Sequence, residues 1–161
     1  MVKLKKIKNS IVNFIFHTPK KTLNDMEIEM IKLNGLIHFC TAESATNIIK
    51  EGAKGNLKKP MRKKERGFTW FYINDDSTFE ERAEDIHSKG IRKNYDSYVV
   101  FKDIEDNQIK ELRIRRRTDC AIIYPSDFST TNMNKYLIQD RIKYLKHISN
   151  YKNKWLPLNA F

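Results

Sequence analysis

Apolar and polar positions change period several times along the chain, and each change marks an element. Ile11, Phe14 and Ile15 are spaced as on a helix before Pro19 interrupts them, which predicts a short N-terminal helix or docking arm. Leu23, Met26, Met30, Ile31 and Leu33 lie among acids over 22–34 and predict a second helix, stopped at Asn34-Gly35. LIHFC then reads as a short apolar strand. Thr41 can cap the helix that follows, since its hydroxyl can accept an otherwise unpaired backbone N–H. Ala42, Ala45, Ile48 and Ile49 share one face of that helix, and Gly52 supplies its stop.

Beyond a polar loop, FTWFYI (68–73) fills both alternating faces with apolar or β-branched residues, as a buried strand does. Residues 78–89 look helical. SYVVFKDI (97–104) predicts a strand, EDNQ a turn, and IKELRIRRR a partner strand, together a hairpin. CAIIY (120–124) is a further buried strand ended by Pro125. Tyr136, Leu137, Ile142, Leu145 and Ile148 predict an amphipathic helix over 132–148. This order is not a regular βαβα alternation, so the expected class is α+β, with short mixed or antiparallel strands flanked by helices. Three stretches follow: an N-terminal helical arm (1–34), a core (35–128), and a C-terminal helix and tail (129–161), expected to form one domain.

Composition narrows the setting. The 161 residues, 40% of them hydrophobic, suffice for a core without staples. No stretch approaches the ~20 apolar residues that cross a bilayer, and the basic N-terminus lacks the small-residue cleavage site of a signal peptide. The two cysteines, Cys40 and Cys120, sit in apolar runs without metal-ligand spacing, so neither a zinc site nor a disulfide framework is expected. The expectation is a soluble cytoplasmic protein with no metal. Thirty-one Lys and Arg against twenty Asp and Glu leave a net charge of +11, which favours an anionic partner unless it merely reflects a Lys-rich composition.

Two features concentrate that charge. Lys58, Lys59, Arg62, Lys63, Lys64 and Arg66 crowd a loop that also holds Pro60 and Gly67. Arg113, Arg115 and Arg117 alternate along a predicted strand, about 6.6–6.8 Å apart, a geometry that suits phosphates and equally suits a charged edge strand. Were the loop close to the arginines, the two would form a groove for nucleic acid or a pyrophosphate.

The stretch GLIHFCTAESATNIIKEG resembles the first motif of ADP-ribosyltransferase-like domains, in which a strand bearing His runs into a Thr- or Ser-capped helix ending in Gly. SYVVFKDI and TDCAIIYPSDF resemble that family's middle and closing strands, so the likeness spans about 35–128. It implies NAD as substrate, His38 against a ribose hydroxyl with Thr41 beside it, and an aromatic packed on nicotinamide from GFTWFYIND. Tyr72 is the favoured aromatic, with Trp70 next to it in rank; Phe71 points the other way. It also implies a carboxylate that stabilises the positive charge developing on the ribose. Cys120 stands where many members carry Glu, which leaves Asp119, one residue earlier, as the candidate; Glu111 is a weaker one without a motif. Relatives include toxins and phage or defence proteins that modify nucleic acid or protein. The competing reading is a catalytically inactive basic module of the same fold that binds nucleic acid or a protein partner; the plain structural reading makes His38 a satisfied, partly buried histidine and Trp70 and Tyr72 packing residues.

Overall fold

The computed structural model describes residues 20–55, 67–88, 94–115 and 121–155. Helix α1 (Asp25–Asn34) opens with a capping box: the Asn24 side chain accepts from the Glu27 N–H, and the Glu27 carboxylate accepts from the Asn24 N–H. Gly35 ends it at φ 82°, ψ −170°, a conformation only glycine adopts readily, and its N–H returns to Ile31 O at 2.8 Å. The chain passes directly into strand β2 (Leu36–Cys40). The next joint repeats the device. Thr41 caps α2 (Ala42–Glu51), and Gly52 ends it at φ 80°, ψ 168°.

Strands β1 (Lys20–Thr22), β3 (Thr69–Ile73), β4 (Ser97–Lys102), β5 (Arg113–Arg115), β6 (Ile122–Tyr124) and β7 (Asn132–Leu137) join β2 in one sheet ordered β1-β5-β6-β3-β2-β4-β7. Every pairing among them is antiparallel. Helices α3 (Asp76–Ser88), α4 (Asp106–Glu111) and α5 (Ile138–Trp155) complete the described elements. The fold is α+β. Strands and helices do alternate as far as β5, contrary to the expected order; antiparallel pairing is what separates the chain from a doubly wound sheet.

Side chains of paired residues share a face, so the register sorts the core in two. Leu36, Cys40, Phe71, Val99, Phe101 and Ile122 lie on one face, under Ile31 of α1, Ala45 and Ile48 of α2, and Ile109 of α4. Ile37, Phe39, Tyr98 and Val100 lie on the other, with Tyr72 at the margin, under Phe79, Ala83 and Ile86 of α3 and Ile138 and Leu145 of α5.

Three expected elements differ. The EDNQ turn is the first part of α4, started where the Gln108 side chain accepts from the Glu105 N–H, and the predicted hairpin does not form: β4 pairs with β2 and β7, whereas β5 pairs with β1 and β6. Residues 132–137 are strand, because β4 is buried on both faces from Ser97 to Phe101 and takes β7 along its second edge. The predicted helix starts only at Ile138. The N-terminal helix proposed over 11–18 lies outside the described residues.

Candidate functional site

His38 sits where the sheet forks. β2 and β3 pair only through Leu36↔Ile73 and Ile37↔Tyr72, while Thr69, Trp70 and Phe71 pair with β6. The Asn74 N–H donates to Gly35 O at 3.0 Å, so continued alternation would bring the Phe39 N–H to the Trp70 carbonyl. Instead the His38 ring meets that carbonyl, Nδ1 to O 2.6 Å. A carbonyl only accepts, so Nδ1 carries the hydrogen of this bond. The ring also meets Phe71 edge-on, centroids 5.9 Å apart.

The register decides which aromatic accompanies the histidine. With Ile37 opposite Tyr72, His38 falls on the face of Phe71, which is 0% exposed, and Trp70 and Tyr72 fall on the other face. The structure therefore does not bring His38 together with Tyr72 or Trp70 on one side of the sheet. Each of those rings lies under an arginine instead: the Arg115 guanidinium is 4.4 Å from the Trp70 centroid, and Arg82 is 5.6 Å from that of Tyr72. Arg82 is held by Glu81 and by Asp85 at 2.9 Å. The sequence reading passed over Arg82, although its signal is present: a cation inside the Phe79–Ala83–Ile86 stripe of α3.

Thr41 acts as the helix cap expected of it, its Oγ1 accepting from the Ser44 N–H at 3.2 Å. Of the expected row of arginines, Arg113 and Arg115 lie on β5. β5 is an interior strand between β1 and β6, which removes the charged-edge alternative. Arg115 is only 7% exposed, and Arg113 Nη1 donates to the carbonyls of Lys110 (2.5 Å) and Leu112 (2.7 Å). Glu111 is the exposed last residue of α4 rather than part of a strand. Lys58, Lys59, Arg62, Lys63, Lys64, Arg66, Arg117, Asp119 and Cys120 lie outside the described residues.

The segment after β6 closes back on the start of the site. Ala53 and Phe128 exchange both backbone hydrogen bonds (2.7 and 2.8 Å), the Gly55 N–H donates to Asp127 Oδ1 at 2.7 Å, and Thr69 Oγ1 donates to Ser126 O at 2.7 Å. The exit of α2 and the entry of β3 are thus held together beside the fork. Burial pushes the Cys40 thiol up to about 12, with the Asp96 carboxylate adding to the effect, so this sulfur is a packing group and not a nucleophile. Among the described residues, no cluster of three or more His, Cys, Asp or Glu could hold a metal ion, and no helix is long and apolar enough to cross a membrane. Compared with protein-family profiles, curated proteins and solved structures, the chain matches none.

Proposed function

We propose that the chain is an ADP-ribosyltransferase-like protein that uses NAD as substrate and modifies nucleic acid or protein, in the toxin or phage-defence setting its sequence resemblance implies. One observation carries the reading: the histidine of the strand-cap-helix motif stands at the fork between β2 and β3, its Nδ1 bound to the Trp70 carbonyl. That bond orients the imidazole, and the resemblance implies that this ring meets a ribose hydroxyl of NAD. In the reaction the bond between ribose C1′ and the nicotinamide nitrogen breaks and nicotinamide leaves with the electron pair. The acceptor's nucleophile then bonds to C1′ and gives up its proton. Asp119 is the carboxylate that would oppose the positive charge on the sugar.

Titrating the purified chain with NAD and following nicotinamide release tests this. Binding and release are expected in the wild type and lost in His38→Ala, while Asp119→Asn should slow release and leave NAD affinity in place. An NAD response identical in wild type and His38→Ala would remove the basis of the proposal.

A second reading has its own support. The rings of Trp70 and Tyr72 lie across the sheet from His38, each under an arginine, and Cys120 replaces the family's glutamate. A non-catalytic basic module fits those facts. It would bind nucleic acid with a steep salt dependence, require Lys58, Lys59 and Arg62, and survive His38→Ala.

A further inference from the structure

A second site lies at the far end of the sheet from β1, where β7 runs directly into α5. Tyr98 of β4 and Tyr136 of β7 are cross-strand partners, with ring centroids 5.5 Å apart and planes 26° from parallel. α5 begins one residue beyond β7, tied to the loop before β4 by the Ile138 N–H to Asp96 O at 2.9 Å. Its first two turns bring Asp140, Arg141 and Tyr144 to the same place. Together with Lys135 these groups line a cavity of about 580 Å³, well within the size of small-ligand sites.

The core does not account for this lining. Tyr98 is buried, but Tyr136 is 49% and Tyr144 60% exposed, and Leu137 between them is also open. Single exposed apolar side chains are ordinary; two tyrosines and a leucine around one cavity are not. Lys135 is the exposed lysine of the lining, its Nζ donating to Thr46 Oγ1 at 3.0 Å, on a chain of net charge +11. Arg141 is already engaged, donating to Asn74 Oδ1 (2.6 Å) and Asp76 Oδ1 (2.8 Å), and acts as a fixed wall rather than a ligand. Asp140 is the one acidic group in the lining. It repels a phosphate inside the cavity and offers an acceptor to an N–H on the edge of a base. Flat rings that need a stacking partner, amino edges that need an acceptor, and phosphates that need cations at the rim belong together in a nucleic-acid strand with unpaired bases.

We propose that this cavity binds single-stranded nucleic acid, with bases stacked on Tyr136 and Tyr144 and an adjoining phosphate met by Lys135. The site is separate from His38, so the proposal is independent of the NAD reading.

The test measures fluorescence anisotropy of a labelled single-stranded RNA of about twelve nucleotides, and of DNA of the same sequence, with the full chain and no NAD present. Tyr136→Ala and Tyr144→Ala are each expected to weaken binding about 5- to 150-fold, the range of a lost base–aromatic stack. Tyr136→Phe, which keeps the ring, should bind like the wild type. Photo-cross-linking a thiouridine-bearing strand to the unmodified protein, then mapping the adduct to 132–148, reads the same contact without any substitution. Three results would overturn the proposal: no binding of a single strand at about 0.1 M salt, binding indifferent to both alanine variants with cross-links elsewhere, or a free nucleoside monophosphate binding as tightly as the strand. The last would assign the cavity to a soluble nucleotide.

Discussion

Gly35 has no room for a side chain. A Cβ there would lie 2.2 Å from the Phe101 carbonyl oxygen, and the backbone occupies a region that L-residues avoid. Gly35→Ala is therefore expected to lower stability by about 1–3 kcal/mol from backbone strain, with the clash adding to it, read as a lower urea midpoint at unchanged m. Cys40 makes a different prediction. Its folded-state thiol holds its proton up to about 12, whereas an unfolded one releases it near 9.0. Its stabilising contribution is thus complete below pH 9 and disappears as pH rises towards 12. Cys40→Ala should flatten the alkaline fall of the unfolding free energy in that window, and a thiol reagent at pH 8 should label Cys40 only after unfolding. At His38 the limit of sequence reading is a single register step. Alternation within LIHFC and within TWFYI could be read from the residues, including the opposition of Phe71 to Trp70 and Tyr72. Which residue of one strand faces which of the other depends on the joints at Gly35 and Asn74, and a shift of one residue would have placed His38 with Tyr72.

The elements that were legible carry their own punctuation. LIHFC, the Thr41 cap, α2 and Gly52 appear where the residues put them, because cap, stripe and stop agree over one short stretch. α4 was hidden by its brevity: EDNQ reads as a turn until the Gln108 side chain is seen to return to the Glu105 N–H at 3.1 Å. β7 was hidden by a coincidence of spacing, since Tyr136 and Leu137 continue the apolar stripe of Ile142 and Leu145 backwards. The demand that overrode it comes from β4, whose second edge needs a partner. Asn132 and Asn134, two weak helix formers two residues apart and bonded to each other at 2.8 Å, were the available hint. α5 is held by Arg141, which packs 4.3 Å from the Phe79 centroid and binds Asn74 and Asp76 near the start of α3. Arg141→Ala should cost about 1.5–3 kcal/mol, the usual effect of losing a charge-assisted hydrogen bond, and should raise amide exchange along α5 more than along α2.

Neighbours in the sheet are mostly strangers in sequence. Of the six adjacencies in β1-β5-β6-β3-β2-β4-β7, only β5-β6 and β2-β3 join consecutive strands. Chain ends must meet across long loops before the sheet gains its contacts, so refolding is expected in milliseconds to seconds rather than microseconds. Stopped-flow fluorescence would follow it, with Trp70 under Arg115 as one reporter.

β7 ends that order, and no described strand pairs with its outer side. A six-residue edge that no described strand covers, with Tyr136 and Leu137 exposed on it, forms a template for the same strand of another molecule. Mutual repulsion between chains of charge +11 opposes that meeting, and it acts across a distance that shrinks from about 10 Å at 0.1 M salt to about 3 Å at 1 M. A concentrated-salt wash meant to strip adhering polyanions during purification would thus also remove the barrier to self-association. Light scattering should show the protein monodisperse in dilute buffer and growing in size in the very eluate that has been freed of nucleic acid.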